Sequence, residues 1–173
     1  MVKRYITVTV SVILLFVMQS TLFKAWALAN ITPNLLIIIT SSVGFIRGKK
    51  EGMFTGVLSG LLIDLFYCDV IGINALIYMY VGYVNGIFKK NFLPEDVRMP
   101  LVLIGASDFI YSVLVFVCWF VIRGKFGFGY YFIHIMMPEM VYTVLISLVL
   151  YRIILFVNIK FDKFELRSKR KFV

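Results

Sequence analysis

Three carboxylates interrupt the apolar runs of this chain: Asp64, Asp108 and Glu139. A charge at the centre of a bilayer costs at least ~2.5–3.5 kcal/mol on insertion scales, so each acid needs a physical reason to be there. No Lys or Arg falls at matching depth, and Arg152 lies close enough to the end of its run to carry its charge out to the interface. The acids are therefore expected to be protonated or to accept hydrogen bonds from Asn, Tyr, Ser or Thr. Asp64 closes a stripe of Gly52, Gly56 and Gly60 at successive four-residue steps, and residues four apart share a helix face. Asn74, Tyr78, Gly82 and Gly86 form a second stripe at the same spacing. Small residues let helices approach closely where lipid supplies no hydrophobic drive. The two stripes either pack on each other or leave one free for a partner's helix. Asn74 or Tyr78 is the expected donor to Asp64, and an Asp64→Asn exchange, which keeps shape and one acceptor, is expected to be tolerated. Asn34, Asp64, Asn74, Tyr78 and Glu139 all fall in one half of the membrane and are expected to form one polar cluster. A proton relay would need acids through the full depth.

Catalytic chemistry finds little to work with. His134 is the only histidine, and Cys68 and Cys118 form no CxxC or Cys/His cluster, so neither a metal site nor a cofactor is expected. A disulfide between the two cysteines is geometrically conceivable, but two small hydrophobes are the expected state. Gly60-x3-Asp64 followed by Asp69 resembles a fragment of the phosphotransferase motif of membrane phospholipid synthases, without its upstream acidic pair and Ala-Arg. The turn Arg47-Gly48-Lys49-Lys50-Glu51-Gly52 lacks the strand-to-helix context of a phosphate-cradling loop. The chain is therefore expected not to be an enzyme.

The elements that carry these residues follow from composition. Of 173 residues, 61% are hydrophobic and only 16% charged, against about 25% charged in soluble domains. A helix crossing the membrane takes ~20 apolar residues. The runs at 5–23, 29–46, 53–68, 74–88, 99–122 and 136–157 therefore predict an all-α integral membrane protein of six transmembrane helices, in one polytopic domain over 1–173. A basic cytoplasmic tail over 158–173 closes the chain. This leaves no room for a soluble domain and excludes a soluble enzyme, a disordered tail protein and a disulfide scaffold.

The first run, with Ala25-Trp26-Ala27 after it, resembles a secretory signal, but it is longer than the usual 7–15 residues and is read as a retained span. The net charge of +9 sits between and after the apolar runs, which is the pattern of membrane orientation rather than of nucleic-acid binding. With the N-terminus inside, the inner segments hold Lys3, Arg4, Arg47, Lys49, Lys50, Lys89, Lys90 and Arg98, and the tail adds six more. Only Lys24, Arg123 and Lys125 lie outside. Both termini are expected in the cytoplasm, with the aromatic stretch Phe126-Gly127-Phe128-Gly129-Tyr130-Tyr131-Phe132 along the outer interface.

Beyond these physical readings, an ordered series stands out. Pro33-Asn34-Leu35-Leu36, Arg47-Gly48, Glu51-Gly52, Gly56, Gly60-Leu61-Leu62-x-Asp64, Gly72-x-Asn74-Ala75-Leu76, Gly82-Tyr83 and Gly86 occur in an arrangement that resembles the rod shape-determining protein MreD family. The resemblance covers about residues 33–88. It implies a multi-pass protein of the bacterial inner (cell) membrane and a six-helix fold like that of the substrate-binding subunits of energy-coupling-factor transporters. It further implies a non-enzymatic scaffold of the cell-elongation (rod) complex, or elongasome, supporting lateral peptidoglycan synthesis and cell shape. MreC, through its transmembrane helix, is the implied direct partner. MreB, RodA and a class B penicillin-binding protein are implied as wider members of the complex, alongside membrane lipids and no nucleic acid. Pro33, Asn34, Arg47, Gly48, Glu51 and Gly72 would be its structural motif residues.

The competing reading is a solute-binding subunit of a vitamin-type transporter, which the outer polar cluster keeps open. Against it, the first span carries Thr7, Ser11 and Gln19 on one stripe and lacks the Ala-x-x-x-Ala face those subunits use to dock their coupling subunit. Reporter fusions after Lys90 and after Val173 are expected to read cytoplasmic, and one near Phe128 external. A tail that reported outside at Lys169 would refute the six-span topology.

Overall fold

The computed structural model describes residues 2–23, 32–68, 70–91, 97–123 and 128–170. The Ala25-Trp26-Ala27 segment, Asp69, the Pro94-Glu95-Asp96 loop, Phe126 and the last three tail residues lie outside them. Every regular element among the described residues is helical. Helix α1 spans Val2–Met18 and widens into a π-helical turn over Gln19–Phe23. Helices α2 (Leu35–Arg47), α3 (Lys49–Tyr67) and α4 (Ile73–Ile87) follow, the last ending in a 3-10 turn over Phe88–Asn91. Helix α5 covers Arg98–Arg123, and the short α6 (Phe128–Tyr131) runs through a π-helical turn at Phe132–Met136 into α7 (Met137–Arg170).

The break between α2 and α3 is one residue long. Gly48 is at once the C-cap of α2 and the N-cap of α3, with φ +102°, a backbone region that a Cβ disfavours. Its N–H donates to the Gly44 carbonyl at 2.7 Å, and its own carbonyl accepts from Gly52 N–H at 3.0 Å, so the last turn of α2 and the first turn of α3 both close on this one residue. At the other end of α2 the Asn34 side chain accepts from Ile37 N–H at 3.2 Å, an N-cap bond. That cap, directly after Pro33, starts α2 six residues later than the expected start at 29. The π turn before α7 also has a local cause. Pro138 donates no N–H and its ring crowds the carbonyl four residues back; the turn relaxes there, and Met137 N–H bonds to Phe132 O instead.

Helix α2 is the axis of the molecule. All thirteen of its residues are buried, and α1, α3, α4, α5 and α7 all pack on it. Thirteen residues span only ~20 Å, less than the ~30 Å hydrocarbon core. Because protein rather than lipid surrounds α2, its length need not match the bilayer. Three helical segments are long and apolar enough to cross a membrane: Arg4–Thr21, Arg98–Cys118 and Gly129–Lys160. They belong to the outer helices, while the shorter or glycine-rich α2, α3 and α4 form the interior set. Two further boundaries differ from the sequence reading. Helix α3 starts inside the basic turn at Lys49 rather than at 53. Helix α7 runs on to Arg170 through most of the segment expected to be a separate tail, which contains no Gly or Pro to stop it.

Gly48→Ala forces an L-residue into the left-handed region at a junction with no spare residues. It is expected to destabilise the protein by ~1–2 kcal/mol, read as a lowered midpoint in thermal unfolding of the detergent-purified chain. An unchanged midpoint would mean the α2–α3 junction can re-form without this backbone conformation.

Candidate functional site

The two glycine stripes face each other. Helices α3 and α4 run antiparallel, and a Cβ built on Gly52 would sit on the Gly82 carbonyl, one on Gly56 on the Tyr78 carbonyl, and one on Gly60 on the Ala75 backbone. From the other side, a Cβ on Gly82 would strike Gly52 and one on Gly86 would strike Lys49. Helix α2 joins at Gly44, where an added Cβ would lie 2.7 Å from the Gly82 carbonyl. Contacts of this kind are backbone on backbone, which only residues without side chains permit. Of the two uses the spacing left open, packing within the molecule is what the structure shows. All eight stripe residues are buried in this packing.

Asp64 ends the α3 stripe and caps the next helix from outside it. Its Oδ2 accepts from the backbone N–H of Gly72 at 2.9 Å and of Ala75 at 3.0 Å. Its Oδ1 accepts from Asn74 N–H at 3.2 Å and from Asn74 Nδ2 at 2.9 Å. Gly72, in the left-handed region with φ +110°, brings no side-chain cap of its own to α4. The carboxylate of α3 therefore satisfies donors of the α4 N-terminus that would otherwise be orphaned in hydrocarbon. Asn74 is a partner, as its spacing suggested; Tyr78 is not. The Tyr78 hydroxyl donates instead to Asn34 Oδ1 at 2.8 Å, and Asn34 N–H donates to Thr143 Oγ1 at 3.0 Å.

The outer polar cluster therefore forms in part. Asn34 and Tyr78 make one knot and Asp64 and Asn74 another. Tyr111 of α5 joins the second, donating to Asn74 Oδ1 at 3.0 Å while its ring meets that of Tyr78 edge-on at 4.9 Å. Glu139 forms no hydrogen bond with the described residues and stands outside both knots. Asp108 is fully buried, and no donor meets hydrogen-bond geometry at either carboxyl oxygen, although Thr143 and Asn34 stand beside it.

Several polar contacts were not anticipated. Asn85 Nδ2 donates to Ser107 Oγ at 2.7 Å, Thr40 donates to Ser59 at 3.2 Å, and Arg47 Nε donates to Asn158 Oδ1 at 2.7 Å. Only Ser107 carried a sequence signal, standing four residues before Tyr111 in an otherwise apolar helix. Of the motif residues, Pro33 and Asn34 open α2, Arg47 ties α2 to α7, Gly48 makes the junction, and Glu51 pairs with Arg4 at 3.3 Å. Cys68 and Cys118 are half-buried and not joined in a disulfide, and Cys68 Sγ accepts from Asn74 Nδ2 at 3.2 Å. His134 is exposed and stacks on Tyr130 at 4.3 Å. Among the described residues no three His, Cys, Asp or Glu side chains are grouped to hold a metal.

A family model described as rod shape-determining protein MreD matches residues 2–160. No curated protein and no solved structure gives a significant match.

The geometry at Asp64 changes what is expected of the Asn exchange. Asn keeps one acceptor oxygen and points an NH2 at two N–H donors. Asp64→Asn is expected to destabilise the fold by ~1–3 kcal/mol, measured by thermal unfolding in detergent. A variant as stable as the parent would show that the α4 N-terminus finds other acceptors.

Proposed function

Because the chain belongs to the rod shape-determining protein MreD family, we propose that it serves rod shape determination as a non-enzymatic scaffold, holding the transmembrane helix of MreC against its own helices in the inner membrane. The chain is a membrane protein of a shape-determining family, with three helices long and apolar enough to span. The six-span topology with both ends in the cytoplasm remains the working arrangement. MreB, RodA and a class B penicillin-binding protein are then reached through the wider complex, and lateral wall synthesis is the process served.

One observation carries the docking part of the proposal. A groove of about 310 Å³ runs between α1 and α7, with α2 as its floor. Val10, Leu14, Ile39, Val43, Ile153 and Val157 make it apolar, and Thr7 and Ser11 put two small hydroxyl residues one turn apart along its α1 wall. Small residues at such a spacing suit the close approach of a second helix. Arg4, Arg47 and Asn158 form its polar end. A single apolar helix fits this shape, and the glycine stripes, being spent inside the molecule, do not compete for it. The outer polar residues weigh against the solute-binding alternative, because Asn34, Asp64, Asn74 and Tyr78 are buried and commit their hydrogen bonds to one another.

Ser11→Phe fills the α1 wall of the groove, whereas Leu145→Phe adds the same bulk to an exposed position of α7 away from it. In detergent co-purification with MreC, Ser11→Phe is expected to lose most of the bound partner while remaining monodisperse, and Leu145→Phe to retain it. Full retention by Ser11→Phe would place the docking surface elsewhere.

A further inference from the structure

The basic turn that joins α2 to α3 is built into a cavity, and no role described so far uses it. Its volume is about 700 Å³, and its walls come from three stretches: Tyr5 on α1, Arg47 to Glu51 across the junction, and Gly86 to Lys90 at the end of α4. Five basic side chains line it (Arg47, Lys49, Lys50, Lys89 and Lys90) against one acid, Glu51. The acid is already paired with Arg4. Arg47 is turned inward onto Asn158, while all four lysines are exposed. Two of them are held in place: Lys89 Nζ donates to the Arg47 carbonyl at 2.7 Å, and Lys49 Nζ lies 5.2 Å from the centre of the Tyr83 ring. The α3 N-terminus opens into the same space without a side-chain cap, adding its partial positive charge.

The level of the cavity selects among anions. Tyr5 and Tyr83 flank it, each more than a third exposed, and the exposed apolar side chains of Phe54 and Ile87 continue the surface beside them. Tyrosines at helix ends mark the headgroup level of a bilayer, and basic pockets between helix ends on the cytoplasmic side suit anionic headgroups. We propose that this cavity is a binding site for the phosphate group of an anionic phospholipid, with the lysines around the phosphate and the acyl chains along Phe54 and Ile87.

The test uses the full-length protein extracted from vesicles of phosphatidylglycerol and phosphatidylcholine and examined by native mass spectrometry at rising detergent. The parent is expected to keep phosphatidylglycerol selectively. Lys50→Gln with Lys90→Gln, both exposed, is expected to lower that retention roughly ten-fold or more, from the attraction each lysine supplies at a membrane surface. Lys160→Gln, outside the cavity, is expected to leave it unchanged. Thermal unfolding of the double variant at the parental midpoint separates this loss from misfolding. Equal retention by parent and double variant overturns the proposal, as does an equal loss in Lys160→Gln, which would mean diffuse attraction. Stabilisation by inorganic phosphate alone, without selective phosphatidylglycerol retention, overturns it in favour of a soluble phosphate ligand.

Discussion

The backbone contact between α3 and α4 sets the terms for the rest of the molecule. In lipid, burying an apolar side chain against another gains little over burying it against acyl chains, so helices associate through close van der Waals packing and interhelical hydrogen bonds. Gly52, Gly56 and Gly60 against Gly82, Tyr78 and Ala75 supply that closeness along the length of the pair. Gly44 and Gly86 extend the same contact to α2 and to the α2–α3 junction. The three interior helices therefore act as one unit, and α1, α5 and α7 present apolar surface outward around it.

Close approach also brings polar groups within reach of one another where water is absent. Asp64 satisfies the α4 N-terminus because α3 and α4 are near enough for a carboxylate on one to reach the backbone of the other. The Tyr78–Asn34–Thr143 series likewise crosses three helices. These bonds give direction to a packing that dispersion alone would leave free to slide. Asp108, buried with both oxygens unpartnered, is the exception, and it lies beside the Ser107 that is bonded to Asn85.

The stripes were legible in the sequence because a four-residue period is a local property of a helix. So were the all-helical class, the approximate helix positions and the family, since each rests on composition or on residues close in the chain. What stayed hidden depended on geometry between distant segments. Three of the four donors to Asp64 are backbone N–H groups, whose aim is set by the bend at Gly72 and not by side-chain identity. The Arg47–Asn158 bond joins residues 111 apart. The helical continuation of α7 is not marked by hydropathy, because the apolar run ends near Val157 while the backbone continues where no Gly or Pro intervenes.

The single-residue junction at Gly48 has a consequence for how the protein is made. A nascent chain that has emerged only as far as Arg47 holds a helix too short to cross a bilayer unaided and buried on every side in the finished molecule. Helix α2 cannot take up its place until α3 and α4 have arrived to surround it, and a junction of one residue leaves α3 no slack to arrive independently. Membrane integration of this region is thus a joint event, in which a helical hairpin and its third member settle together.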